Sequence, residues 1–115
     1  MLLEFMARQM QALELPYEYW RWTDADIPDV YFTGDASGTA TGDEDRSVDG
    51  TFTLAGHSYK GELPLEQWHR KIRTHFADWV HGGGVAAKYA GFRYVPTDLE
   101  GLSRIEIDIE TKEWG

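Results

Sequence analysis

Four histidines, twenty carboxylates and no cysteine bound the chemistry open to this 115-residue chain. The histidines are His57, His69, His75 and His81, and no two stand four apart, the spacing that aims two imidazoles at one metal from a helix. Asp43-Glu44-Asp45 has the charge of a calcium loop without its ordered acidic positions, central glycine or closing glutamate, and reads as a solvated charge run. Gly82-Gly83-Gly84 follows a helical stretch instead of opening one, so it reads as a helix stop and not as a phosphate cradle. Ser37, Ser47, Ser58 and Ser103 have no nucleophile-elbow context. Disulfides, thiolate catalysis and cysteine zinc sites need a residue the chain lacks. The expectation is a protein that is not an enzyme, with no catalytic, cofactor-binding or metal-binding residues.

The carboxylates are patterned where the nucleophiles are not. In Arg104-Ile105-Glu106-Ile107-Asp108-Ile109-Glu110, three isoleucines alternate with three acids. A strand sends successive side chains to opposite faces, so Ile105, Ile107 and Ile109 face a core while Glu106, Asp108 and Glu110 form a row on the other side. Like charges in a row repel. Such a row suits a surface that meets something negative without holding it, or something positive that it holds.

Twenty acidic against eleven basic residues leave a net charge of −9, which argues against a nucleic-acid binder that counts phosphates. Much of the excess lies between Asp24 and Asp49, including Asp35, Asp43, Glu44 and Asp45. This segment reads either as a solvated acidic loop or as a negative surface facing DNA or a basic partner. Hydrophobic residues make up 42% and aromatics 14%, a globular composition. No apolar run approaches the roughly 20 residues of a membrane span. Met1-Leu2-Leu3-Glu4-Phe5 lacks a basic leader, so no signal peptide is expected.

The elements that must position these groups follow from periodicity. Leu2, Met6, Met10 and Leu13 predict a helix over 1–14, ended by Leu15-Pro16. Tyr17 to Trp22 alternates as a strand, with Trp20 and Trp22 on one face, and Pro28 opens a second strand through Thr33. Residues 34–46 read as a flexible acidic, glycine-rich hairpin loop. A third strand runs from Val48 to Tyr59, with Val48, Phe52 and Leu54 on its apolar side and Gly50 and Gly56 as weak points or bulges. Residues 64–80 predict a helix with the stripe Leu65, Trp68, Ile72, Phe76 and Trp79, leaving His69, Arg70 and Arg73 as a basic outer face. A fourth strand covers Ala87–Val95, and the acidic strand closes the domain. The expected fold is a single α+β domain over 1–115. It has two layers, a mainly antiparallel sheet of about five strands with two helices, in the order α-β-β-β-α-β-β.

Several stretches are similar to a known family. Gly50-Thr51-Phe52-Thr53-Leu54-Ala55-Gly56 leads into an amphipathic helix with Leu65-Glu66 and Ile72. Tyr94-Val95-Pro96-Thr97-Asp98, Leu102-Ser103-Arg104-Ile105-Glu106-Ile107 and Lys112-Glu113-Trp114 follow. Together they resemble small tail-completion, or tail-terminator, proteins of long-tailed bacteriophages and prophages. The resemblance implies a structural virion protein in the tail or neck, assembled in the bacterial host cytoplasm. It implies a ring, usually a hexamer, that caps the head-proximal end of the tail tube and stops its polymerisation. The partners it implies are further copies of the chain, the tail-tube protein and the head connector or completion protein, with DNA passing through the ring and no membrane.

Under this resemblance Glu106, Asp108 and Glu110 are expected to line or approach the channel. His69, Arg70 and Arg73, with the terminal Trp114, are expected at subunit contacts, and the loop with Asp35, Asp43, Glu44 and Asp45 is expected to dock on tube or connector. Two alternatives stand beside this expectation. One is a head-side connector or completion protein. The other is an acidic DNA-mimic inhibitor, which the basic cluster Arg70, Lys71 and Arg73 disfavours.

Overall fold

A computed structural model describes residues 2–15, 29–40 and 47–114. The elements are α1 (Leu2–Ala12), β1 (Val30–Ala40), β2 (Ser47–Ser58), α2 (Leu63–His75), β3 (Val80–Gly82), β4 (Val85–Val95) and β5 (Ser103–Trp114). The strands form one antiparallel sheet in the order β1-β2-β5-β4-β3. This is the expected α+β fold of two helices and a five-stranded sheet. The expected strand over Tyr17–Trp22, with Trp20 and Trp22, lies outside the described residues, as do Asp43, Glu44 and Asp45.

The core is set by strict alternation. Ile105, Ile107 and Ile109 of β5 are fully buried, beside Phe52 and Leu54 of β2 and Phe32 of β1. Each such side chain contributes about 1.5–3 kcal/mol by leaving water. The helices close this face: Phe5, Met6 and Met10 from α1, and Leu65, Ile72 and Phe76 from the α2 segment, are buried against it. The opposite face of the sheet carries the polar residues of each strand.

The helix ends differ from expectation for local reasons. α1 stops at Ala12, and Glu14 turns left-handed (φ 58°), which lets the Leu15 amide donate to the Met10 carbonyl at 3.0 Å. The stop is thus made before Pro16. α2 stops at His75 and not near residue 80, because the Phe76 carbonyl turns away to accept the Tyr89 amide of β4 at 2.8 Å. Trp79 therefore lies beyond the helix, and Val80–Gly82 pairs as a strand with Val85–Ala87. Gly83 and Gly84, both with positive φ, turn the β3–β4 hairpin, so this glycine run reverses a strand instead of stopping a helix.

Two further expectations on glycines and loops are corrected. β2 pairs with both neighbours in unbroken register through Gly50 and Gly56, and the sheet's irregularity lies instead on β4 between Tyr89 and Gly91. Gly56 is small because a Cβ there would collide with the Phe32 ring and meet Ile105 Cγ2 at 2.9 Å. The segment 34–40, expected as loop, continues β1 opposite Val48–Leu54.

Candidate functional site

β5 brings the acidic row onto the outer face between β2 and β4, as the alternation requires. The row is not bare. Arg93 on β4 lies opposite Glu106 in the register, and its guanidinium forks over both acids, with Nη2 2.7 Å from Glu106 Oε1 and Nη1 2.7 Å from Asp108 Oδ2. Arg104 Nη2 approaches Glu106 Oε2 at 3.2 Å, and Thr53 Oγ1 of β2 donates to Asp108 Oδ1 at 2.8 Å. The fork raises the Arg93 pKa, through its hydrogen bond to Asp108 first and then the two carboxylate charges. Glu110, beside Lys88 in the register, is the exposed acid of the three. The outer face is therefore a mixed-charge surface in which Glu106 and Asp108 are committed to arginines.

Burial pushes the pKa of His57, on the same outer face, below the ordinary imidazole range, and Arg104 lowers it further while Glu106 opposes. Its ring stacks on Tyr31 at 4.6 Å between centroids.

The expected basic face of α2 holds for two of its three residues. Arg70 and Arg73 are exposed, but His69 is turned inward and only 8% exposed. Four residues after Leu65 and three before Ile72, it sits on the helix's buried stripe, its Nε2 2.7 Å from the Tyr89 hydroxyl and its ring 4.2 Å from that of Phe92. Burial lowers its pKa, with Arg73 adding to the effect and Glu66 opposing it. Trp68, expected in the core, is partly buried at the stripe's margin, with Lys71 Nζ 4.7 Å above its ring. A groove of about 760 Å³ runs along this side, lined by Leu13, Trp68, Arg70, Lys71, Thr74 and His75 among others. His75 is held there by Gln9 Oε1 at 2.7 Å.

Trp114 is 41% exposed, on the outer-face side of β5, and its amide donates to the Gly84 carbonyl at 2.9 Å. Near the same end, the Leu2 amide at the start of α1 donates to Glu113 Oε2 at 2.9 Å, an anion where the helix dipole favours one. Asp35, Ala36 and Ser37 of β1 are exposed although successive residues point to opposite faces, and Val48 across the arm is exposed on the face that buries Phe52. The outer half of β1, the edge strand of the sheet, is thus left uncovered, while Phe52 opposite Ala36 stays buried.

Sequence reasoning missed an exposed apolar corner: Phe92 and Tyr94 pack edge to face, Leu99 shares a cleft with Tyr94 and Glu62, and exposed Leu63 follows Glu62 at the start of α2. Its only sequence signal was aromatic residues alternating on β4 opposite Ile107 and Ile105.

Among the described residues no group of three or more histidines and carboxylates is arranged to hold a metal. No described helix is long and apolar enough to cross a membrane. Comparison with protein-family models finds none that matches the chain, and comparison with curated proteins finds no match either.

Proposed function

We propose that this chain is a structural assembly protein of the tail-completion or tail-terminator kind. It caps the head-proximal end of a phage tail tube, stops tube polymerisation and forms the tail side of the head–tail joint. Its partners are copies of itself in a ring, a hexamer in this reading, with the tail-tube protein below and the head connector above. DNA passes through the ring without being bound, and the protein's place is the neck of the virion after assembly in the host cytoplasm. No catalysis is involved.

The motifs quoted from the sequence and the helix–strand order support this reading, and the exposed outer half of β1 carries it. β1 is an edge strand of the sheet, and an exposed edge offers unpaired backbone groups to a neighbouring chain. Its exposed Asp35, Ala36 and Ser37 are accounted for if a tube, connector or ring neighbour covers them. A DNA mimic would need its carboxylates unengaged, whereas Arg93 and Arg104 occupy Glu106 and Asp108.

Negative-stain microscopy of the protein, alone and mixed with its tail-tube protein, tests the proposal. Rings, or tubes capped at one end, are the expected result. Uncapped tubes of unlimited length together with a stoichiometric nuclease complex would replace the terminator reading with the inhibitor.

A further inference from the structure

The corner at the N-terminal end of α2 has both shape and charge. Leu63 and Leu99 are 63% and 60% exposed, and the Phe92 and Tyr94 rings meet edge to face at 6.1 Å. A cleft of about 410 Å³ opens there between Glu62, Tyr94, Pro96, Leu99, Leu102 and Arg104. The rim is mostly acidic. Glu62 lines the cleft with Tyr94, and exposed Glu66 follows it one turn along α2; burial raises the Tyr94 pKa, and the charges of Glu66 and Glu62 raise it further. Asp98 and Glu100 add two exposed acids from the β4–β5 turn.

The outer side of α2 is its complement. Arg70, Lys71 and Thr74 are exposed around the half-buried Trp68, along the groove that also takes in Leu13 and His75. Among the described residues, Glu62, Glu66, Arg70 and Lys71 take part in none of the ion pairs, which involve Lys60, Arg93 and Arg104 with their acids.

We propose that the Leu63/Phe92/Tyr94/Leu99 corner of one copy docks on the Trp68/Arg70/Lys71 face of α2 in a second copy. This inference rests on the ring reading above and names its contact. The two linings share no residue, so one copy can offer its corner to one neighbour and its helix face to another, and such a head-to-tail contact, repeated, closes into a ring when its rotation allows. Apolar side chains at the centre with opposite charges at the rim match the anatomy of a specific interface. The acidic rim selects the basic helix face and repels another acidic corner.

Sedimentation velocity on two charge-reversal variants tests it. One carries Glu62→Lys with Glu66→Lys, the other Arg70→Glu with Lys71→Glu. Each alone is expected to associate at least about ten-fold more weakly than the unmodified protein. Mixed in equal amounts, they are expected to recover association, because each reversed patch then meets an opposite one. Leu99→Glu, in an exposed turn, repeats the loss without touching the helix, and circular dichroism checks that each variant is folded. Unchanged association in all variants overturns the contact, as does a protein monomeric at every concentration or an assembly that stops at two copies. Rings that survive the reversals would sink this contact and leave the tail reading standing. Normal self-association beside uncapped tubes would sink the tail reading alone.

Discussion

Arg93 of β4 reaches diagonally across to Asp108 of β5, with guanidinium Nη1 2.7 Å from carboxylate Oδ2, and this contact, beside the one to Glu106, converts an acidic stripe into a charge-balanced seam. The Arg93 side chain is half exposed, so the seam works in high dielectric and its strength depends on salt. Arg93→Gln is expected to fold with an unchanged far-ultraviolet spectrum and a lower thermal midpoint at low ionic strength. The deficit should shrink as salt is added. A deficit independent of salt would mean that the arginine stem, and not its charge, contributes by packing.

The seam also decides which acid can report on a channel. Reversing Glu106 or Asp108 would set a new cation against Arg93 and confuse folding with function. Glu110 is exposed and is the cleaner site. Glu110→Lys should leave assembly intact and reduce DNA delivery in an infection assay if this face lines the passage. Normal infectivity with normal particles would remove Glu110 from the channel.

Trp114→Ala removes a half-exposed indole at the end of β5. If the ring or the tube covers it, association should weaken by about 2 kcal/mol, the scale of an aromatic anchor. Equilibrium sedimentation with and without the tube protein reads the change. An identical assembly at all concentrations would assign Trp114 to packing within one subunit.

Gly56→Ala probes the tightest spot in the core. The new methyl would run into the Phe32 ring and Ile105, so a loss of about 1–3 kcal/mol is expected in urea unfolding. Adding Phe32→Leu should recover part of that loss, because the two sites share one space. Strictly additive losses would mean that the strand shifts as a whole instead.

His57 and His69 make stability depend on pH in one direction. Burial pushes both below the ordinary value of 6.5, with Arg104 and Arg73 respectively as the second cause, so the folded chain takes up protons less readily than the unfolded one. Stability is full above that value and is lost as pH falls below it, down to the depressed folded values. The slope is at most about 1.4 kcal/mol per pH unit for each histidine. Urea midpoints compared at about pH 7.5 and about pH 5.5 should fall at the lower pH, and His69→Phe should flatten part of the fall. Equal midpoints at both values would mean the rings are as easily protonated folded as unfolded.

The parts of the fold written in strict local patterns were legible. Ile105, Ile107 and Ile109 announced β5 and its buried face, and Met6 and Met10 announced α1. The end of α2 was not, because Trp79 and Val80 continue its apolar rhythm while a hydrogen bond from distant Tyr89 decides the stop. His69 was misplaced because polarity was read as exposure, although its position between Leu65 and Ile72 put it on the buried stripe. The fork of Arg93 on Glu106 and Asp108 depends on which strands become neighbours and in what register, and no local pattern encodes that. The exposed corner was hidden for the same reason: Glu62, Tyr94 and Leu99 converge only after folding.

β5 is the last described element in chain order and the middle strand of the sheet, bonded to β2 on one side and β4 on the other. During synthesis, the β1–β2 and β3–β4 hairpins therefore emerge from the ribosome as two halves with nothing to join them. Each keeps open the inner strand edge that β5 will fill, the kind of edge that seeds aggregation, until the residues from Ser103 onward clear the exit tunnel. A nascent chain arrested before Ser103 should be bound by chaperones and cut by proteases at both halves, and release of the last strand should end both at once.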